Sequence, residues 1–168
     1  KRHGSDARLL AGGQTLLPMM NFRLAAPEVI IDLNRIPELA FIKESDGQVR
    51  IGAMTRQRAL EFSPVIARDL PLLHGAIKMV GHLPTRSRGT IGGSLANADS
   101  AAEIPMILQV LDGEVLVRSP NGERTIPAAE LVVDAMTTSL SEDEMLAEVR
   151  FPVMPQGALF AVEEFSRR

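Results

Sequence analysis

Apolar positions along the chain fall into short runs of changing period, and each run points to an element. Arg8-Leu9-Leu10-Ala11 is apolar and stops at Gly12-Gly13, which reads as a buried strand ending in a turn. Thr15 to Phe22 carries Leu16, Met19 and Met20 on one side and predicts a short helix, with Pro18 tolerated in its first turn. Val29-Ile30-Ile31-Asp32-Leu33 is a continuous β-branched run of the kind found in strands covered on both faces. A further strand is predicted from about Gln48 to Ala53, after the hairpin-type turn Ser45-Asp46-Gly47. Together these segments predict a small three-strand lobe over residues 1–53.

From residue 54 the pattern turns helical. Thr55 is placed to cap a helix ending near Glu61 or Phe62, and Ser63-Pro64 supplies a cap and a first helical position for the next. Pro71 to Val80 puts Leu72, Leu73, Ala76, Ile77 and Val80 on one face, with Gly81 as its stop. Gly81 to Ser100 has little periodicity and is rich in Gly, Ser, Asn and Asp. It reads as a long loop, and long loops in compact domains are usually functional. Ile104 to Leu111 predicts a helix, Glu114–Arg118 and Arg124–Ile126 a hairpin around Pro120-Asn121-Gly122, and Met145 to Phe151 a strand. The mixture predicts an α+β fold whose larger lobe spans 54–168.

Composition narrows the function classes. The 168 residues are 45% hydrophobic and 23% charged, with a net charge of −3. No basic face or stripe marks a nucleic-acid footprint, and Arg86 and Arg88 read as part of a solvated or partner-facing loop. The absence of cysteine excludes disulfides, cysteine zinc sites and thiolate-held iron–sulfur clusters within this chain, and agrees with a cytoplasmic setting. No apolar run approaches the roughly 20 residues of a membrane span. The chain opens at Lys1 without methionine and closes soon after a strand-like stretch, so it reads as part of a longer polypeptide. It has no Trp or Tyr; either residue stacked on a flat cofactor ring must come from outside it.

Familiar cofactor fingerprints are missing. There is no Gly-x-Gly-x-x-Gly, no Gly-Lys-[Ser/Thr], and no metal-type spacing among His3, His74 and His82. Gly92-Gly93-Ser94-Leu95-Ala96 falls one glycine short of a nucleophile elbow. Two glycine pairs remain, Gly12-Gly13 followed by Gln14-Thr15, and Gly92-Gly93 followed by Ser94. Either pair can be a plain tight turn. Alternatively, successive N–H groups in such turns form a concavity that binds anions, and two facing each other could clasp a pyrophosphate. Hydroxyls of Thr15, Thr90 and Ser94 would add to it. Ser100 and Glu103 have capping-box spacing. Pro105 instead favours a helix start near Ile104, which leaves the Glu103 carboxylate free to accept from a sugar-chain hydroxyl.

Leu10-Ala11-Gly12-Gly13-Gln14-Thr15-Leu16-Leu17-Pro18-Met19-Met20 and Arg88-Gly89-Thr90-Ile91-Gly92-Gly93-Ser94-Leu95-Ala96-Asn97-Ala98-Asp99 resemble the flavin subunit of molybdenum hydroxylases, the carbon monoxide dehydrogenase and xanthine dehydrogenase family. Ile31 to Leu39 and Ile51 to Thr55 are similar to it as well, so the likeness spans essentially the whole chain. The resemblance implies the two-lobed FAD-binding fold of vanillyl-alcohol-oxidase-type flavoproteins. It implies that Ala11, Gly12, Gly13, Gln14, Thr15 and Leu16, with Thr90, Ile91, Gly92, Gly93 and Ser94, wrap the FAD pyrophosphate. It also implies an acidic FAD ligand at Glu103 and apolar contacts at Leu146 and Val80. Thr15 stands where Ser is commoner, Asn97 where His is frequent, and Glu163-Glu164-Phe165 where a Lys often approaches the flavin. Molybdenum cofactor and [2Fe-2S] clusters are expected only in a large and a small partner subunit, assembled as a dimer of heterotrimers. Electrons would then pass from the clusters through FAD to an acceptor. The alternatives are an FAD-free binding or assembly module and a stand-alone flavin oxidoreductase of the same fold.

Overall fold

A computed structural model describes residues 4–165. The termini noted above, Lys1 to His3 and Ser166 to Arg168, lie outside them. The first part of the chain builds a parallel pair, β1 (Ala7–Leu10) and β2 (Val29–Asp32), joined through helix α1 (Leu16–Asn21). A hairpin follows, β3 (Ile42–Ser45) and β4 (Gln48–Gly52), turned by Asp46 and Gly47 at φ 55° and 74°. Three short helices come next: α2 (Gln57–Phe62), α3 (Pro64–Asp69) and α4 (Pro71–Ala76). The remaining helices are α5 (Leu83–Arg88), α6 (Ile91–Asn97), α7 (Glu103–Val110) and α8 (Ala128–Leu131). The later strands are β5 (Glu114–Ser119), β6 (Gly122–Pro127), β7 (Val132–Asp134), β8 (Thr137–Thr138) and β9 (Met145–Pro152).

Five strands form one antiparallel sheet in the order β3-β4-β9-β5-β6. Its centre is β9, whose Val149 and Phe151 are fully buried beside Ile51 and Val49 of β4 and Val115 of β5. Helices α3, α4, α6 and α7 contribute Ile66, Leu73, Ile91, Leu95, Ile104 and Leu108 to the same core. Glu148 on β9 is buried among these strands and stays paired: Arg50 Nε and Nη2 donate to it at 2.6 and 2.8 Å, and Arg150 Nε at 2.5 Å. Burial alone would raise its pKa, but these two guanidiniums outweigh that and hold it below the usual carboxylate range.

The α+β mixture agrees with the sequence reading, and several local expectations need correction. The strand read at 48–53 belongs to the large sheet through β9, and the small lobe has β1 and β2 among the described residues. Ile30 and Ile31 are 39% and 45% exposed, so β2 is not covered on both faces. Thr55 does not cap α2. Its buried hydroxyl instead clamps Phe41, accepting from the N–H at 3.1 Å and donating to the carbonyl at 3.0 Å. Ser63 does cap α3, accepting from the Ile66 N–H at 3.3 Å, with Pro64 at the first position. The helix from Pro71 stops at Ala76 and runs on as tight turns through Val80. The stretch read as a loop from Gly81 to Ser100 contains α5 and α6, which are too short and too rich in Gly and Ser to show an apolar stripe.

Candidate cofactor site

The first glycine segment is a donor-rich turn, buried at Gly12 and exposed at Gln14 and Thr15. Gly13 sits at φ 72°, in left-handed backbone that glycine adopts without a Cβ penalty. The amides of Gly12, Gly13, Gln14 and Thr15 have no hydrogen-bond acceptor among the described residues. Thr15 stands at the start of α1 without using its hydroxyl as a cap, and both Gln14 and Thr15 are exposed. Gln14 Nε2 folds back on the Gly12 carbonyl at 3.3 Å. Leu16 opens α1 and is half-buried; Ala11, also half-buried, packs on the small cluster of Leu33, Leu39, Met54 and Ala147.

The second glycine segment is built differently. Gly92 and Gly93 are not a turn but the first turn of α6. Thr90 caps it, accepting from the Gly93 N–H at 3.0 Å. Ile91 N–H donates to the Thr55 carbonyl at 3.1 Å, Gly92 N–H to the Ala53 carbonyl at 2.9 Å, and Ser94 N–H to the Thr90 carbonyl at 3.1 Å. The amides of Ile91, Gly92, Gly93 and Ser94, expected to form the second half of an anion nest, therefore each have a protein partner. Gly92 is glycine for packing: a Cβ there would lie 2.5 Å from the Ala53 Cβ. The half-buried Ser94 hydroxyl is a side-chain donor left at this segment.

The two segments nevertheless face each other. A Cβ on Gly12 would meet the Arg88 carbonyl oxygen at 2.4 Å and the Gly89 Cα at 2.8 Å, and one on Gly93 would meet the Ala11 Cβ at 3.4 Å. Two side chains missed by sequence reasoning tie them further. Asn34 Nδ2 donates to the Ala11 carbonyl at 3.0 Å, Arg56 Nη2 to Asn34 Oδ1 at 2.6 Å, and Arg56 Nη1 to the Arg88 carbonyl. Asp32 orients Asn34 by accepting its N–H at 2.9 Å, and that bond leads the causes holding the Asp32 carboxyl below its ordinary pKa. The local signal for this was Asp32-x-Asn34, an Asx-type turn spacing. Nothing local pointed to Arg56.

The remaining predicted residues sit apart in character. Glu103 is the first residue of α7, with Ala102 as cap and Pro105 still inside the first turn, so Ser100 caps nothing there. It is half-buried. Burial first, and then the nearby Glu164 and Asp99, push its pKa above the ordinary value. Val80 and Leu146 are core members, 8% and 5% exposed. Asn97 Nδ2 contacts Met136 Sδ at 3.8 Å. Arg86 is not the solvated arginine expected: its side chain is 12% exposed, paired with Glu61 at 3.1 Å and donating to the Val80 and Gly81 carbonyls.

These residues fit a pyrophosphate-linked cofactor on one side more than on the other. The first segment offers unpaired amides in a cradle that a Cβ would fill, and the second offers close backbone approach and a hydroxyl.

Comparison with known proteins gives this cradle a family. Residues 1–154 match the model described as FAD binding domain in molybdopterin dehydrogenase. The chain is 47% identical over 98% of its length to the alpha subunit of the 6-hydroxypseudooxynicotine dehydrogenase complex of Paenarthrobacter nicotinovorans, and covers 56% of that protein. It is 43% identical to the carbon monoxide dehydrogenase medium chain of Hydrogenophaga pseudoflava, covering 98% of this chain and 58% of that one. The structure of carbon monoxide dehydrogenase from the same organism superposes with a TM-score of 0.97, at 42% identity over 99% of this chain and 58% of that one. Quinoline 2-oxidoreductase from Pseudomonas putida 86 gives 0.93 at 36% identity over 97% and 56%. The chain thus spans a little over half the length of the relatives it matches, and across that span it belongs to the FAD-binding domain family of molybdopterin dehydrogenases.

Proposed function

We propose that this chain is the FAD-holding part of the electron-transfer subunit of a molybdenum-containing hydroxylase. The observation that carries the reading is the packing of Gly12 on the Arg88 carbonyl, which sets the open amides of the first segment against the start of α6. In this reading Gly12, Gly13, Gln14 and Thr15 donate N–H groups to the pyrophosphate, and the Thr15 and Ser94 hydroxyls add neutral hydrogen bonds. Ala11, Leu16, Thr90, Ile91, Gly92 and Gly93 shape the cradle without donating into it. Glu103 accepts from a hydroxyl of the ribityl or ribose chain. Val80 and Leu146 present what remains exposed of their side chains to the flavin. Bound FAD supplies the redox chemistry, taking electrons from iron–sulfur clusters of a small subunit and yielding them to an acceptor. Substrate is oxidised at a molybdenum centre in a large subunit, in a cytoplasmic dimer of heterotrimers.

The reading is tested on the protein isolated with whatever subunits accompany it. Flavin absorbance that co-elutes with this chain, and release of FAD rather than FMN on heating, are expected. A colourless protein that fails to take up added FAD would contradict the reading and favour a binding or assembly module.

A further inference from the structure

The two glycine segments come from distant parts of the chain, and nothing in their own sequences fixes the gap between them. A side-chain bridge does. It runs from the Ala11 carbonyl through Asn34 Nδ2 at 3.0 Å, across Asn34 Oδ1 to Arg56 Nη2 at 2.6 Å, and from Arg56 Nη1 to the Arg88 carbonyl. Both anchored carbonyls directly precede a glycine, Gly12 in one segment and Gly89 in the other. The bridge thus parallels the direct contact of Gly12 with the Arg88 oxygen and closes a ring around the seam. Arg56 is anchored a second way, because its neighbours Thr55 and Gln57 hold the second segment by backbone bonds. Ile91 N–H donates to the Thr55 carbonyl at 3.1 Å, and Gln57 N–H to the Gly89 carbonyl at 2.9 Å.

The charge of this bridge is also informative. Among the described residues Arg56 has no carboxylate in ion-pair contact, and its two hydrogen bonds go to neutral oxygens. Burial, and then the nearby Arg88, disfavour its charge, while Asp32 partly offsets them. A guanidinium bonded to neutral acceptors, with Asp32 acting on it only at longer range through the field, keeps its positive charge at the rim of the cradle. A planar fork reaches two acceptors at a fixed spacing, which a lysine ammonium cannot reproduce.

We propose that Arg56, acting through Asn34, is a positioning residue that holds the two glycine segments at the spacing a dianionic pyrophosphate needs and biases the cradle toward that charge. The proposal rests on the FAD reading above. Asn34 and Arg56 are on the surface side of the seam, so their substitution leaves the main core intact.

The test uses the protein at its natural length with its accompanying subunits, stripped of flavin and titrated with FAD by fluorescence quenching. Arg56→Gln and Asn34→Ala are each expected to weaken FAD binding by about tenfold to a hundredfold, the loss of one or two charge-assisted bonds. The double variant is expected to be no weaker than the poorer single, since both break one bridge. Arg56→Lys is expected to recover part of the affinity, through charge without the fork. Singles that bind FAD within twofold of the parent, or a double whose losses multiply, would overturn the proposal even if melting of the flavin-free protein drops. A parent protein that binds no FAD at all would overturn the FAD reading and this proposal with it.

Discussion

Gly12-Gly13 and Gly92-Gly93 look alike in sequence and do opposite things. The first pair leaves its amides without partners and holds a left-handed residue at φ 72°. The second pair is helical, and its amides bond to the Ala53 carbonyl and the Thr90 hydroxyl. One glycine pair leaves its amides without partners where the first segment meets Arg88; the other lets the start of α6 lie directly on Ala53, the residue after β4. The difference shows that a glycine pair marks close backbone approach, and that only hydrogen-bond accounting tells whether the approach is to a ligand or to the protein itself.

The sharpest way to break the comparison is to fill the packing contact at Gly92. Gly92→Ala puts a methyl 2.5 Å from the Ala53 Cβ and 2.8 Å from its carbonyl oxygen, neither of which can swing away. A loss of about 2–3 kcal/mol in urea unfolding is expected, with or without flavin. For that reason Gly92 cannot serve as a clean probe of cofactor binding.

A second contrast sharpens it at the hydroxyls. Thr90→Ala removes a buried cap and is expected to cost about 1 kcal/mol of stability. Thr15→Ala removes an exposed hydroxyl with no cap bond, and is expected to change stability by less than about 0.5 kcal/mol. It should instead speed FAD release about fivefold in stopped-flow fluorescence. Equal effects of the two on stability would contradict the division of labour.

The smallest expected effect concerns Glu103. Burial, followed by Glu164 and Asp99, raises its pKa, so the folded flavin-free protein disfavours its charged form relative to the unfolded chain. Its stabilising contribution is full below the ordinary carboxylate pKa of 4.5 and is lost as pH rises through the raised value. At neutral pH Glu103→Gln is therefore expected to raise the melting temperature of the flavin-free protein while weakening FAD binding. A variant that melts lower at neutral pH would contradict this.

Much of the fold was legible because it is local. The Ser63-Pro64 cap, the apolar face of α7 and the 45–47 turn each need only neighbouring residues. The partner of β4 was not legible: Arg50 meets Glu148 98 residues away, and no local pattern encodes that pairing. The α5–α6 stretch failed for another reason. Six- and seven-residue helices packed through glycine show no periodic stripe, and their composition mimics a loop. At the site, the residue types were legible but the state of each amide was not. Arg56 was invisible because its role depends on two carbonyls brought together only by the fold.

The central claim is that the first segment, and not the start of α6, donates backbone N–H groups to the cofactor. Amide hydrogen exchange resolved to single residues tests it directly, comparing flavin-free and FAD-loaded protein. Gly12, Gly13, Gln14 and Thr15 are expected to exchange rapidly without FAD and to gain protection with it. Ile91, Gly92, Gly93 and Ser94 are expected to be protected in both states. Protection gained at residues 91–94 alone, with 12–15 still exchanging freely in the loaded protein, would contradict the account.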